Sequence, residues 1–527
     1  MYRTIIACSL VSLLSSCSYL KNASIQAEYT KIQETDPSLL NLKHMIERES
    51  YGLIGKTLDD QGLYAKASIA VAAFSDKYID HELVDIMHNA GAGKHYGLNL
   101  PEGDYQVLGL ADFNNDLLYS PDEVIGQYSI SLNKDRYSEM VVGNVDIELT
   151  PKLSVAWDFS IPVVASIKSP NSLFYPKNTI RSLDDPIFSK EMSTLGMYAP
   201  AAFLEKSPIF FYAMEEDIGY KIPVIFVHGI NGSPREFDTI IKLIDKEHYK
   251  PWFFYYPSGG NLGQMADFFY NIFLSGKIVS NNKRIPFVII AHSMGGLIVR
   301  EALNKVKIND ESSKIVFVSM ATPFGGHPAT IKAEKSSLLV LPSWRDLNPN
   351  NQFIKNLYHK SLPSNVNHQL IYAFADDREI KFGENTDGTV PLSSQLYSVA
   401  QEQSDHQHGL NATHTGILVD SNSTRHIVGL IHSVKTEYPD EHITAMKRGG
   451  YNLPLDDQFT DMDKYILNTF GQYIVALLKA EIKPIDSFQQ HLIDVVYQGK
   501  PAKYEGETAW LKFAESYPKF VNRLLDE

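Results

Sequence analysis

One stretch near the middle of the chain decides most of what it can fold into. Residues 285–290 (IPFVII) are a continuous apolar run, residues 291–296 read AHSMGG, and residues 297–303 (LIVREAL) have helical spacing. That order predicts a buried strand, a tight turn and a helix, because parallel strands covered on both faces read as unbroken apolar runs. The turn places Ser293 between two small residues, Ala291 and Gly295. Small side chains there let strand and helix approach closely and leave the serine oxygen exposed at the end of the sheet. The usual form of such a turn is G-x-S-x-G. Ala291 departs from it with the next smallest side chain.

Residues 222–232 (IPVIFVHGING) read as a second buried strand running into a glycine-rich turn, with room before Ser293 for a helix and another strand. The loop after such a strand either supplies a backbone N–H to an oxyanion or is a tight strand-to-helix turn with no chemical role. An acid and a base should follow the serine in that order. Residues 372–375 (YAFA) are a short strand candidate, and the loop 383–391 (GENTDGTVP) beyond them carries Asp387. Residues 411–417 (NATHTGI) then offer His414. In that arrangement Ser293 attacks an acyl carbon, His414 takes and returns the proton, and Asp387 fixes the imidazole tautomer. The N–H groups of Ile230 and Met294 hold the oxyanion. Competitors exist. Asp376 and Asp377 also follow the strand candidate, and Asp-Gly is a common turn pair. His406, His408 and His426 compete with His414, although residues 424–430 (TRHIVGL) read as a helix carrying a surface or packing histidine. His406 and His408, beside Asp405, read either as metal ligands or as a polar loop.

The segments VIFVHGING, AHSMGGLIVR, MATPFGGHP (residues 320–328), DGTVP and THTGIL occur here in one order. In these the sequence resembles the α/β-hydrolase superfamily, and within it lipases and esterases similar to GPI inositol-deacylase. The resemblance covers roughly residues 206–435. It implies an α/β-hydrolase fold, a mostly parallel sheet wrapped by helices, and a serine hydrolase acting on esters with no required cofactor. It favours Asp387 as the acid, and makes His228 a residue that orients the oxyanion loop.

The first residues read differently. A short positive start (Met1, Arg3) precedes an apolar stretch over residues 4–14, too short to span a bilayer comfortably. Residues 14–17 (LSSC) follow. This is the pattern of a secretory signal, and its end resembles the lipobox of bacterial lipoproteins. That resemblance implies that Cys17 carries lipid and anchors an exported protein. By the rule of that family, Ser18 in place of aspartate favours the outer membrane over retention at the inner one. The alternative is an ordinary cleaved signal with a chance cysteine. The chain has only two cysteines, Cys8 and Cys17, so the mature part holds no disulfide and depends on burial alone. Forty-eight basic residues against 62 acidic ones give a formal charge of −14. That excludes a nucleic acid partner and opposes attraction to anionic headgroups, while leaving lipid esters as substrates.

The expected organisation is a signal peptide (1–17), a tether (18–50), a small β-sandwich-like domain (51–160), a Pro/Ser-rich connector (161–205), the hydrolase domain (206–440) and a helical C-terminal extension (441–527). Within the β region, Asp112, Asn114, Asp116, Ser120 and Glu123 fall at the oxygen positions of an EF-hand-type loop. Leu117 occupies the position that normally needs glycine. A structural calcium ion and a solvated Asx-rich turn both remain open. Residues 338–341 (LLVL) and Trp344 lie in an insertion that forms either a cap over an apolar acyl pocket or part of the core. The functional expectation is a serine carboxylic ester hydrolase, lipase or phospholipase-like. An acyltransferase with the same triad, or an inert surface-binding lipoprotein, are the alternatives.

Overall fold

The computed structural model describes residues 50–526, except 60–61, 65–66, 76–80, 152, 165–171, 177, 208, 218, 280–281, 308–312, 337–339, 375–379, 382, 452–454 and 457. Cys17 and its leader, Leu338 and Leu339, and the competing acids Asp376 and Asp377 lie outside the described residues. Among the described residues the chain forms two compact units, one within 50–217 and 221–435 and the other within 219–220 and 436–526.

The first unit is built on a seven-stranded sheet of β1 (Phe211–Ala213), β2 (Ile222–Val227), β3 (Tyr249–Phe254), β4 (Phe287–His292), β5 (Ile315–Met320), β6 (Val366–Phe374) and β7 (His406–Asn411). The order is β1-β3-β2-β4-β5-β6-β7, and every neighbouring pair is parallel except β1 with β3. With helices such as Leu262–Phe269 and Met294–Leu303 joining the strands and Ser421–Ser433 following the last one, this is the α/β-hydrolase fold. Strands β2, β3 and β4 are buried at every position, which is why β2 and most of β4 are apolar without alternation, while β3 buries Lys250 against Asp217. Strand order reverses at β2, which has β3 on one side and β4 on the other. Open α/β sheets bind ligands in the crevice beyond the carboxyl ends of strands at such a reversal. The segments containing Ile230 and Ser293 leave the sheet there, from β2 and β4.

Strand β7 corrects a sequence reading. Residues 406–408 read as metal ligands or as a polar loop, yet they belong to a strand that pairs residue for residue with β6, from Gln369↔His406 to Phe374↔Asn411. An edge strand takes its hydrogen bonds from one neighbour and tolerates polar side chains, so its sequence carries no apolar signature. The His408 ring stacks on His426 at 3.9 Å, and Asp405 accepts the His368 N–H at 2.7 Å. No group of three or more His, Cys, Asp or Glu converges on a metal position among the described residues.

Ahead of this sheet lie two four-stranded ones. Leu83–Met87, Ile69–Ser75, Gly103–Ala111 and Val124–Leu132 pair antiparallel in that order. The second sheet centres on Ser50–Leu58, antiparallel to His95–Pro101 and parallel to the short strands Val141–Val142 and Ile147–Glu148. Leu53, Leu98, Val71 and Val107 from the two sheets share one core, a sandwich. The opposite face of the first sheet, with Ala70, Phe74 and Leu108, is covered by Trp157 and Phe159. Ile69–Ser75 is therefore buried on both faces.

The loop carrying the calcium-type pattern is closed by its own hydrogen bonds. Glu123 is buried, and its two oxygens accept from the N–H groups of Phe113 and Ser120 and from the Ser120 hydroxyl. Asp116 and Asn114 bond each other, and Asp116 accepts the Leu118 N–H. Glu123 is thus engaged by two backbone N–H groups and a hydroxyl, whereas Asp112 Oδ1 is buried without a hydrogen-bond partner.

The stretch expected as a connector contains two helices, Lys190–Tyr198 and Pro200–Lys206. Ser189 caps the first by accepting the Met192 N–H, and Pro200 opens the second. The second unit consists of helices Asp440–Met446, Asp461–Leu478, Ser487–Gln498, Glu505–Ser516 and Pro518–Asp526 around Leu467, Trp510 and Phe513. Among the described residues no helix is long and apolar enough to cross a membrane.

Candidate active site

Ser293 occupies the turn between β4 and the helix Met294–Leu303, with φ 54° and ψ −128°. That backbone region is costly for any residue with a side chain and persists only where the surroundings enforce it. They do. A Cβ on Gly295 would lie 2.6 Å from the carbonyl oxygens of Val227 and His228, and one on Gly296 would lie 2.0 Å from Thr322 Oγ1. A Cβ on Gly229 would meet Ser293 Cβ at 2.8 Å. Ala291 sits beside Val227 and Ser319 in the sheet and is fully buried. A serine at this position normally accepts an N–H of the first helical turn, but Ser293 makes no such capping bond.

Its hydroxyl is instead 2.9 Å from His414 Nε2. His414 Nδ1 is 2.7 Å from Asp387 Oδ2, and Asp387 is completely buried. The other Asp387 oxygen accepts the N–H groups of Thr389 and Val390 at 2.9 and 2.7 Å. The His414 N–H donates to the Asp387 carbonyl at 2.7 Å, so the two loops are tied through backbone as well as side chains. Nδ1 faces a carboxylate and therefore carries the ring proton, leaving Nε2 free to accept from the serine. Burial holds the His414 imidazole below its ordinary pKa, with Asp387 pulling the other way. The structure thus brings Ser293, Asp387 and His414 together.

The two expected oxyanion donors come from separate segments. Met294 is the first helical residue, and its N–H is among those a helix leaves without an internal acceptor. Ile230 is in the turn after β2. The Asn231 N–H donates to Ser258 Oγ at 2.9 Å, and the Gly232 N–H donates to the Gly229 carbonyl at 3.2 Å. Lys190 Nζ donates to the Asn231 carbonyl at 3.0 Å. His228 is buried; its Nδ1 donates to the Gly229 carbonyl at 2.8 Å, its Nε2 accepts the Tyr256 N–H at 3.3 Å, and its ring stacks on Tyr256. Burial lowers its pKa, which suits a neutral ring in this role.

Three further residues shape the site without an obvious sequence signal. Gln395, almost fully buried, donates to Asp387 Oδ2 at 3.2 Å and bonds both backbone groups of Ala373. Glu236 lies in the short turn Pro234–Phe237, where S-x-x-E reads as a helix start; its Oε1 is 3.4 Å from both the Gly229 N–H nitrogen and His292 Nδ1. Burial opposes the charge of Glu236, but the His292 ring beside it outweighs this and holds the carboxyl below the usual range. His292 Nε2 is 2.9 Å from the His414 carbonyl oxygen.

The family model described as "Putative serine esterase (DUF676)" matches residues 222–347. That span covers β2 through β5, Ser293 and both oxyanion candidates. No curated protein matches the sequence. Among solved structures, Bacillus licheniformis lipase BlEst2 in mature form is 15% identical, covering 42% of this chain and 97% of its own, with a TM-score of 0.31. The metagenomic carboxyl esterase MGS0156 is 16% identical over 41% of this chain and 75% of its own, with a TM-score of 0.31. Aspergillus fumigatus lipase B is 14% identical over 52% and 65%, again at 0.31.

Proposed function

We propose that the protein is a serine carboxylic ester hydrolase working through an acyl-enzyme on Ser293. The carrying observation is the unbroken series from Ser293 Oγ to His414 Nε2 and from His414 Nδ1 to Asp387, set on a strained turn beside two candidate oxyanion donors. The serine-esterase family match over residues 222–347 supports the ester class. Ser293 Oγ adds to the ester carbonyl carbon while its proton passes to His414 Nε2. The N–H groups of Ile230 and Met294 take the oxyanion. The imidazolium protonates the departing alcohol. Water then attacks the acyl-enzyme with its proton taken by His414, and Ser293 leaves reprotonated. Asp387 holds the tautomer and offsets the transient charge.

The segment around Trp344 covers this crevice in the proposed reading, making the acyl group apolar and the substrate a lipid or lipid-like ester. Its helix, Pro342–Asp346, is fastened to the loop after β3 by Ser343 N–H donating to the Gly259 carbonyl and by Asp346 accepting the Leu262 N–H. Anchoring through a lipidated Cys17 at the bacterial outer membrane completes the proposal. The test is hydrolysis of p-nitrophenyl esters across acyl lengths, with fluorophosphonate labelling of wild-type and Ser293→Ala. Labelled wild-type, with activity and label both lost in the variant, is the expected result. A folded wild-type protein that neither hydrolyses any ester nor takes the label overturns the reading.

A further inference from the structure

Behind the Ser293–His414–Asp387 series lies a second histidine with a second carboxylate. His292, the last residue of β4, is 3% exposed. Its Nε2 is 2.9 Å from the His414 carbonyl oxygen. A carbonyl oxygen only accepts, so Nε2 carries a proton. In a neutral ring Nδ1 would then be a bare lone pair. That nitrogen faces Glu236 Oε1 at 3.4 Å, and the same oxygen faces the Gly229 N–H. Two acceptors turned toward each other inside the protein repel. One additional proton between them removes the conflict, and it turns a repulsive contact into a charge-assisted one. The room for this carboxylate is built in: a Cβ on Gly232 would fall 2.5 Å from Glu236 Oε2.

We propose that Glu236 and His292 form a protonated positioning pair that clamps the oxyanion loop to the loop bearing His414, through the residue preceding the nucleophile. The proposal rests on reading Ser293 as nucleophile and His414 as base. Three segments that are distant in sequence meet at this pair. Glu236 belongs to the turn after the oxyanion loop and receives the Gly229 N–H. His292 ends the strand that delivers Ser293. The His414 carbonyl belongs to the base itself. Neither Glu236 nor His292 reaches the reacting atoms in the proposed mechanism; both act through the groups they hold.

The charged and titratable groups facing the pair are His228 and the Tyr256 phenol on the side of β2 and β3, and His414, backed by Asp387, on the other. The His292 and His414 ring centroids are 4.8 Å apart. A cation on His292 therefore disfavours protonation of His414 and helps keep the base free. Loss of that cation moves the acid limb of kcat/KM to higher pH.

The experiment uses the full chain with 15N-labelled histidine, the His292 signals being assigned by their absence in His292→Leu. The expected spectrum at pH 7 shows protons on both ring nitrogens of His292. Glu236→Gln keeps the shape and removes the negative charge that holds the second proton, so it should reduce His292 to a single ring proton without loss of folding. A wild-type His292 with one ring proton overturns the protonated pair, whether or not the protein hydrolyses esters. In the activity arm, His292→Leu should lower kcat by up to about 10²-fold, with KM changed by less than about twofold. Its acid limb should move up by roughly one pH unit. Wild-type kcat and an unmoved limb in a folded His292→Leu overturn the positioning role. Absence of esterase activity in the wild-type is a different outcome: it removes the reading on which the clamp depends, and the ring-proton count still decides the pair.

Discussion

Gly295 and Gly296 stand side by side after Ser293, yet they face different kinds of obstacle. A methyl group on Gly296 would press on the Thr322 side chain, at 2.0 Å from Oγ1, and a side chain can rotate or shift. One on Gly295 would press on the Val227 and His228 carbonyls at 2.6 Å, which belong to β2 and the start of the oxyanion loop and cannot yield alone. Gly296→Ala is therefore expected to cost about 1–3 kcal/mol of stability while retaining measurable labelling at Ser293. Gly295→Ala should abolish labelling even where thermal melting shows a folded protein, because the backbone that moves carries Gly229 and Ile230. Equal labelling of the two variants would contradict this. The base has its own residue-scale consequence. Burial lowers the pKa of His414, so the neutral form persists to lower pH than for a free histidine. Activity needs that neutral form and rises with pH through the pKa. The acid limb of kcat/KM should accordingly lie below the ordinary histidine value of about 6.5. A limb above 7 in a pH–rate profile would contradict it.

At the scale of elements, a chain of contacts links the insertion after β5 to the oxyanion loop. Asp346 receives the Leu262 N–H at 2.8 Å, Ser343 bonds Gly259, and Ser258 in the same loop receives the Asn231 N–H. Asp346 is buried, and burial raises its carboxyl to about 6. A carboxyl raised on folding binds more protons folded than unfolded. Its contribution is present at pH 4 and is lost as pH rises through about 6. Asp346→Asn keeps an acceptor for Leu262 and removes the buried charge. It should therefore melt higher than wild-type at pH 8, by about 1–2 kcal/mol in stability, with little difference at pH 4. Melting curves at the two pH values check this; a variant less stable at pH 8 would refute it. None of this tie was legible in the sequence, because Asp346 and Leu262 are 84 residues apart and neither sits in a local pattern. Strands β2 and β4 were legible because being buried on both faces writes an apolar run into the sequence. Ser293, Asp387 and His414 were legible because each lies in a short turn at the end of a strand or strand candidate. The polar edge strand β7 and the helices Lys190–Tyr198 and Pro200–Lys206 were not. Their conformations depend on neighbours supplied by distant parts of the chain.

For the molecule as a whole, charge and proposed substrate pull in opposite directions. A formal charge of −14 gives no general attraction to anionic lipid headgroups, although the proposed substrate is lipid-like. A covalent lipid at Cys17 would supply what the charge distribution withholds, since each buried methylene contributes about 0.8 kcal/mol and two or more chains hold a protein stably. Cells expressing the chain and fed an alkyne fatty acid should incorporate the label into the wild-type protein and not into Cys17→Ser. High-salt washing should leave the labelled protein in the membrane fraction, because acyl insertion is insensitive to screening. Labelling that persists in Cys17→Ser would place the lipid elsewhere. A wild-type protein without label, or one released by salt, would mean that the acidic chain meets its substrate free in solution, and the lipid-surface part of the proposal would fall while the ester chemistry at Ser293 stood.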